Sequence, residues 1–547
     1  MLFVGIIALA IAASSTGLTN GFALDDVALI ADNARVHSLD EWWRLFARPY
    51  WPPQYGGSLY RPLVTLGFAV QWTAADGAPW VFHLTSIALY AATSALVLAL
   101  LLLLLPPAPA VIAAALFAVH PVHVEAVANV VGQTELLAAA TTLAAAIVYV
   151  RRRRSAELGP VAIVSIALLY ALACLSKEHG ILLPLILVAL EFFAVAELGA
   201  SASERVRLRL RAVAPLYVTL GLVGIAYVAA RTIVLGELLG EKPLVPIHGI
   251  GRLWMMLIVV PHWIRLLIWP AHLSADYGPQ QISIPAAAGP EIALGAVLLG
   301  AATALFLALG PTDGATRDER TVARLGLLWA TIMLVPVSNL FSVMVLAERT
   351  LLMPSVGVML VVGAGSSALW RRSRDNPRGA FMRGGLVTVA LLLVAVGAIH
   401  SRRRQTVWSD DTTLFARTVT DAPLSYRAQF FYGQSLFDQG RRAEGERHLR
   451  LAIALNPTNS DVSPLNYLAT EYRDAGMCPQ ALPLYEQAIA NDADRPDVRY
   501  GLAACLLATG RVDDARRIAV EGVARGDLKS LFLELIARSD SLAPHGG

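Results

Sequence analysis

The chain has 547 residues, is 56% hydrophobic and only 16% charged, and carries a formal net charge of +3 with a mean hydropathy of +0.57. Soluble globular domains do not reach that hydropathy, and a small positive charge carried mostly by arginines between apolar runs is no footprint for nucleic acid. Three cysteines, Cys174, Cys478 and Cys505, are too few for a disulfide framework or a metal cluster.

The first element is an apolar run over 1–17. It lacks a basic leader and a clear small-x-small cleavage site, so it is read as a retained membrane helix and not as a signal peptide. A polar loop, 18–80, follows with "LDDVALIADN" and "SLYRPLVTLGF". Apolar runs of roughly 17 to 25 residues, enough to cross a bilayer as helix, then fall near 81–105, 109–131, 134–150, 160–176, 181–198, 213–230, 288–310, 324–341, 351–370 and 384–399. With the first run these make about eleven crossings. The stretch 251–274 intersperses Trp254, Trp263 and Trp269 with Arg252, His262 and Arg265, and is read as a helix lying at the interface. Counting it as a span would reverse everything downstream.

Arginine-rich connections stay on the cytoplasmic side. Arg151, Arg152, Arg153 and Arg154, then Arg205, Arg207, Arg209 and Arg211, then Arg317, Arg320 and Arg324, then Arg371, Arg372 and Arg374 fall on alternate connections. Those connections are therefore inside, and Asp25 and Asp26 outside. Arg402, Arg403 and Arg404 land on the outer side, against the trend.

Beyond residue 400 the composition becomes charged and helix-favouring. Residues 426–459 place small or turn residues at Gly433, Gly440, Gly445, Ala452 and Pro457, the pattern of a tetratricopeptide helix pair. The unit recurs: Gly440, Gly476 and Gly510 stand 36 and 34 residues apart, and Ala481 and Ala515 repeat the helix-crossing position. About three repeats over 426–530 are expected, after a linker at 401–425 and before a tail at 531–547. Such arrays bind a peptide or protein in their concave face, or serve as spacers.

Four polar stretches converge on the outer side: the loop 18–80, "HPVHVEAVANVVGQTELL" (120–137), "LSKEHGI" (175–181) and "SNLFSVMVLAERTLLMPSVG" (338–357). Ionisable residues at such helix ends are costly unless paired or used. Adjacent carboxylates at Asp25 and Asp26, with Arg61, Lys177, Arg349, His120 and His123, suit a base held against an anionic group. A lipid-linked sugar phosphate fits, its tail between helices and its head at the interface, while a carboxylate deprotonates an acceptor hydroxyl. Each residue also has a plainer role. Asp25 or Asp26 caps a short helix starting at Val27, Lys177 reaches the interface on its flexible stem, and Glu348 and Arg349 pair as neighbours. His120, His123 and Glu125 have a spacing reminiscent of metal ligands, but no third histidine follows and Pro121 breaks the geometry. A divalent metal is admitted but not expected.

The order of an early acidic pair, then YRPL, HPxHxEAVAxVVGxxELLA, LSKExGI, ERxLxxPSVG and C-terminal repeats resembles the transmembrane and tetratricopeptide-repeat O-mannosyltransferase family. The resemblance runs over roughly residues 1–530; the motif order is specific although no single motif is. It implies an all-α fold: a polytopic GT-C-type membrane domain over 1–400 followed by an α-solenoid. By position it implies a catalytic role for Asp25, supported by Asp26, and donor-phosphate contacts from Arg61, Lys177 and Arg349. His120, His123, Glu125 and Glu178 would shape the sugar or acceptor site. It further implies a polyprenyl-phosphate sugar donor, with mannose the expected sugar, a protein acceptor engaged by the repeats and membrane lipids as surroundings; the charge gives no sign of nucleic acid, and the Ala- and Arg-rich composition points to a bacterium, hence an inner membrane with the repeats in the periplasm. Three repeats are fewer than eukaryotic members carry, which leaves the acceptor open. The rival readings are a non-catalytic anchor for a repeat scaffold, a transferase acting on a glycan or lipid, and a transporter, which would carry its ionisable residues near the midplane.

Overall fold

The structure, a computed structural model, describes all residues except 57, 156–157, 196–201, 238–248, 279–280, 283–286, 311–318, 341–345, 375, 457–460, 527 and 543–547, and omits the side chains of 54, 202–211 and 542. Pro457, Arg317, the end of the sixth run, the SVM of the fourth polar stretch and the side chains of Arg205, Arg207, Arg209 and Arg211 therefore lie outside the described residues. Among the described residues the regular structure is helical, with no strand. The chain divides into two compact units, the first reaching Leu414 and the second starting at Phe415, with residues 278–281 grouped with the second.

In the membrane unit the helices are α1 (Leu2–Ser14), α2 (Pro62–Ala75), α3 (Pro79–Leu104), α4 (Pro107–Ala118), α5 (Val124–Ala128), α6 (Gln133–Ser155), α7 (Pro160–Ser176), α8 (Leu183–Leu190), α9 (Ala202–Leu235), α10 (Ile250–Ile268), α11 (Pro290–Ala308), α12 (Glu319–Leu334), α13 (Leu352–Arg372) and α14 (Gly379–Gln405). Among the described residues, ten helical stretches are long and apolar enough to cross a membrane, or eleven if α4 and its bent continuation through Ala128 count as one. The protein is thus a multi-pass membrane protein. The run read as a single span at 109–131 bends by 47°, because Pro121 interrupts the helical hydrogen bonding. The 17-residue α7 is the short apolar helix of the set.

The bundle core is built from Ala, Leu and Val of α3, α4, α6 and α13, with Trp329 of α12 fully buried and donating its indole N–H to the Met353 carbonyl. Small residues let these backbones approach, which is how helices associate where lipid is as apolar as their own side chains.

The two ends of the bundle differ in chemistry. At one end Arg153 pairs with Glu191 and Arg371 with Glu319, while Arg154 donates to the carbonyls of Leu103 and Ala194. At the other end lie the acidic pair, the start of α2, the ends of α4 and α7 and the start of α13, together with the end of α14, where Thr16 donates to the Arg402 carbonyl. The α10 helix passes the length and hydropathy test for a span, yet both its termini meet residues of the acidic-pair end. Arg252 near its start donates to the Leu340 carbonyl, and the Leu267 carbonyl near its end faces His120. A 19-residue helix is about 28 Å long, so a crossing helix could not touch one end of the bundle twice.

The second unit continues α15 (Asp411–Asp421) and stacks α16 (Tyr426–Asp438), α17 (Arg442–Leu455), α18 (Ser463–Asp474), α19 (Cys478–Asn491), α20 (Pro496–Ala508), α21 (Val512–Arg525) and α22 (Lys529–Leu542). The three turns are superimposable in chemistry: Gly440, Gly476 and Gly510 have φ of +76, +75 and +80°, the left-handed conformation that glycine adopts without cost. After each, an N–H closes back on the helix, Arg441 to Leu436, Met477 to Tyr472 and Arg511 to Leu506. Cys478 and Cys505 form a single disulfide between α19 and α20, a pairing the cysteine count did not reveal. They lie on helices of consecutive repeats whose packing was not visible as a cysteine spacing.

Candidate active site

The acidic pair sits in an irregular stretch between α1 and α2. Leu24, immediately before the pair, has φ +58°. Asp26 is 1% exposed and accepts hydrogen bonds from the N–H groups of Val130 (3.0 Å) and Val131 (2.8 Å). Those donors are presented by a tight turn at Gly132, where a Cβ would overlap the Ala126 backbone. Although Asp26 precedes the helical turn Val27–Ala31, its side chain does not cap it. Burial pushes the Asp26 carboxyl up to about 8 despite the two backbone donors.

The Asp25 side chain is 18% exposed and meets Arg349 Nη2 at 3.2 Å. Arg349, in the 3-10 turn that starts α13, donates from Nη1 to Glu125 Oε1 (3.0 Å) and from its backbone N–H to Glu125 Oε2 (2.9 Å). Glu348 points the other way, accepting from the Ser274 N–H and the Tyr277 hydroxyl. The neighbours 348 and 349 therefore do not pair with each other.

A second group adjoins the first. Arg61, the residue before α2, donates from Nε and Nη2 to Glu178 (2.8 Å at the closest) and lies 5.2 Å from the Tyr50 ring centroid. Burial works against the Arg61 charge, but Glu178 outweighs it and holds the guanidinium above its ordinary range. Lys177 pairs with Glu135, and His179 Nδ1 approaches the same carboxylate at 3.7 Å. Burial lowers the Lys177 ammonium in spite of Glu135. The Tyr50 hydroxyl, fully buried, has no hydrogen-bond partner, and burial pushes its phenol above the ordinary range, with Arg61 opposing the shift. Asp25, Arg61, Lys177, Glu178, Glu125 and Arg349 thus occupy one polar basin at one end of the bundle, each cation already matched to a carboxylate.

His120 and His123 are engaged elsewhere. His120 Nε2 faces the Leu267 carbonyl (3.1 Å) while Nδ1 accepts from the Val122 N–H. His123 contacts the Tyr90 hydroxyl (2.9 Å) and the Ser355 hydroxyl (2.8 Å). Sequence reasoning passed over Glu135, Tyr50, Tyr277 and His179. Glu135 stands in the quoted GQTELL stretch, but its partner Lys177 is one helix further on and nothing in the spacing links them.

Tetratricopeptide-repeat models match residues 413–460 and 472–538. The protein O-mannosyl-transferase F38B6.6 of Caenorhabditis elegans is 25% identical over 454 residues, covering 81% of this chain and 61% of the relative. The Drosophila melanogaster protein O-mannosyl-transferase Tmtc1 is 26% identical over 529 residues, covering 81% and 60%. Over about four fifths of its length the chain is thus similar to proteins named protein O-mannosyl-transferase. Human protein O-mannosyl-transferase TMTC3 is more similar over a shorter stretch, 35% over 168 residues, or 29% of this chain and 18% of TMTC3. The chain spans about three fifths of the length of the first two relatives.

Proposed function

We propose that this protein is a membrane glycosyltransferase that moves mannose from a polyprenyl-phosphate carrier to serine or threonine hydroxyls of proteins. The observation that carries the reading is the grouping of one solvent-reaching carboxylate, Asp25, with Arg349, Arg61 and Lys177 at one end of the bundle, in a chain whose relatives are named protein O-mannosyl-transferases.

In the proposed reaction Asp25 takes the proton of the acceptor hydroxyl as that oxygen bonds to the anomeric carbon. The bond from that carbon to the carrier phosphate breaks, and its electron pair leaves on the phosphate oxygen. Charge builds on the phosphate, where the cations of the basin stabilise it. In the unliganded basin Glu178, Glu135 and Glu125 hold those cations in place, and an arriving phosphate exchanges with them. The unpartnered Tyr50 hydroxyl supports a ligand that completes its hydrogen bonding. The reading assigns no role to a divalent metal.

An apolar groove of about 740 Å³ supports a lipid-borne donor. It runs between α7 and α9 past Tyr170, Tyr217, Gly221, Gly224 and Val228, and reaches Ile181 of the turn that also bears Glu178. Arginines at the opposite end of the bundle favour the cytoplasm, so the basin and the repeats are assigned to the outer side, the periplasm in a bacterium. The Cys478–Cys505 disulfide supports that side, since disulfides persist in oxidising compartments. The repeats are assigned to acceptor-protein binding.

The test is transfer from polyprenyl-phosphate-mannose to periplasmic proteins by the purified full chain, read by intact mass and glycopeptide mapping. Hexose added at Ser or Thr, and lost in a folded Asp25→Asn protein, is the expected result. Normal transfer by Asp25→Asn overturns the mechanism; label found only on lipid or glycan keeps a transferase and changes its acceptor.

A further inference from the structure

The chain holds a second pair of adjacent aspartates, Asp410 and Asp411, at the start of α15, and the two divide their work. Asp410 accepts from the Thr413 N–H (2.9 Å) and from the Thr413 and Ser409 hydroxyls, so it caps the helix. Asp411 turns away from its own helix: its Oδ1 accepts the Leu24 N–H at 2.6 Å, across 387 residues of sequence.

That bond belongs to a wider attachment. The Gly21 N–H donates to the Ser409 carbonyl (2.8 Å), and the Asn20 side chain donates to the Gln405 carbonyl (2.9 Å). Trp408 is 1% exposed in a small core with Ala23, Val124, Ala128 and Leu414. The residues that follow the last membrane helix therefore form the floor beneath the stretch 20–24. Leu24 is the residue immediately before Asp25, and its φ of +58° is one that a leucine adopts only when its surroundings hold it there. On the far side, Asp26 is held by the Val130 and Val131 N–H groups. Asp25 thus hangs between two anchored peptide units.

We propose that Asp411 is a positioning residue for Asp25: by holding the Leu24 amide in its left-handed conformation it aims the Asp25 carboxylate at the basin beside Arg349. The functional half of this inference rests on the transferase reading; the structural half does not. The part-buried Asp411 carboxylate lies close enough to Asp25 for the two charges to interact, so its replacement also removes a negative charge from beside the base, which the conservative variant separates from the loss of the hydrogen bond.

The experiment compares wild type, Asp411→Asn and Asp411→Ala as full chains. Hydrogen–deuterium exchange on peptides covering 20–28 reads the anchor without any substrate, and steady-state transfer from polyprenyl-phosphate-mannose reads its consequence. In Asp411→Ala the 20–28 peptides exchange at least tenfold faster while the α3 and α6 peptides stay protected, and kcat falls at least tenfold with the donor KM within about twofold. Asp411→Asn keeps a carboxamide oxygen for the Leu24 N–H and restores both. Unchanged exchange in Asp411→Ala overturns the anchor. Faster exchange with unchanged kcat overturns the positioning role, as does Asp411→Asn behaving like Asp411→Ala. If wild type itself transfers nothing, it is the transferase reading that fails, and the exchange arm alone still decides whether Asp411 holds the loop.

Discussion

Asp25 and Asp26 are joined by one peptide bond and face opposite surroundings: Asp25 reaches solvent and pairs with Arg349, whereas Asp26 is enclosed and binds two backbone N–H groups of the turn before α6. The two carboxylates are therefore not interchangeable. Asp25→Asn keeps the shape and loses the proposed base, so transfer is expected to fall by about 100-fold or more with little change in melting temperature. Asp26→Ala leaves the Val130 N–H without its acceptor in the interior and the Val131 N–H with only the Asn129 side-chain oxygen, and costs about 1–3 kcal/mol. Melting curves and transfer rates on the two purified proteins separate the effects.

The elevated Asp26 carboxyl also makes a pH prediction. Its folded-state value of about 8 lies above the ordinary 3.8, so the folded protein binds the proton more tightly than the unfolded chain does. The stabilisation is complete below about pH 4 and is lost as pH rises through about 8. Thermal stability in detergent should decline over that window by more in wild type than in Asp26→Asn, which cannot ionise. Parallel pH profiles for the two proteins would contradict the assignment.

The helical architecture was legible because a bilayer demands long apolar runs, and the repeats because Gly440, Gly476 and Gly510 mark one turn at nearly constant spacing. The clustering of polar stretches at one end could likewise be read from alternating arginine loops. What could not be read was who pairs with whom. Lys177 meets Glu135 and Arg349 meets Glu125 across 42 and 224 residues, and no local pattern encodes a partner that far away. The same holds for Asp411, which lay within the expected linker 401–425 and meets Leu24 across 387 residues, and for the disulfide, whose cysteines are 27 residues apart. His120 and His123 drew notice for their spacing, yet each ring is occupied by local carbonyls and hydroxyls.

Arg349 is the joint of the basin, since it contacts Asp25 and Glu125 at once. Arg349→Ala leaves Glu125, nearly enclosed, without its counter-charge and costs about 3–5 kcal/mol. Arg349→Lys keeps the charge but cannot reproduce the fork that reaches two carboxylates. It is expected to fold with a smaller loss of stability and with a clear fall in transfer. An Arg349→Ala, Glu125→Gln double variant should regain part of the lost stability without regaining transfer, because the buried charge is gone but so is the proposed phosphate contact. Recovery of transfer in that double variant would show that Arg349 serves Glu125 alone.

The disulfide ties α19 to α20 near the middle of the repeat stack. Replacing both Cys478 and Cys505 by serine is expected to lower the stability of the repeat unit by about 2–4 kcal/mol and to leave the melting of the membrane unit unchanged. Intact mass of the protein isolated from cells and alkylated without reductant reads the state of the pair directly. Two alkyl groups at 478 and 505 would mean that the repeats face a reducing compartment, and the outward assignment of the basin would fall with it.

The disposition of α10 decides the orientation of everything that follows it. Ile250 and Trp269 flank the helix and are both exposed, at 57% and 67%, so cysteines placed there are open to reagent. The native cysteines do not interfere, because Cys174 is buried and the other two are bonded to each other. With a membrane-impermeant maleimide applied to intact cells or spheroplasts, Ile250→Cys and Trp269→Cys should both label from outside, and Arg374→Cys only after lysis. The contacts of Arg252 with Leu340 and of Leu267 with His120 require that result, since both partners sit at the acidic-pair end. Labelling of 250 and 269 from opposite sides would make α10 a span, and would then place α11 to α14 in the reverse sense to the helices before them. That sense is incompatible with Arg349 of the α13 turn meeting Asp25, so the same pair of cysteines tests the assembly of the basin itself.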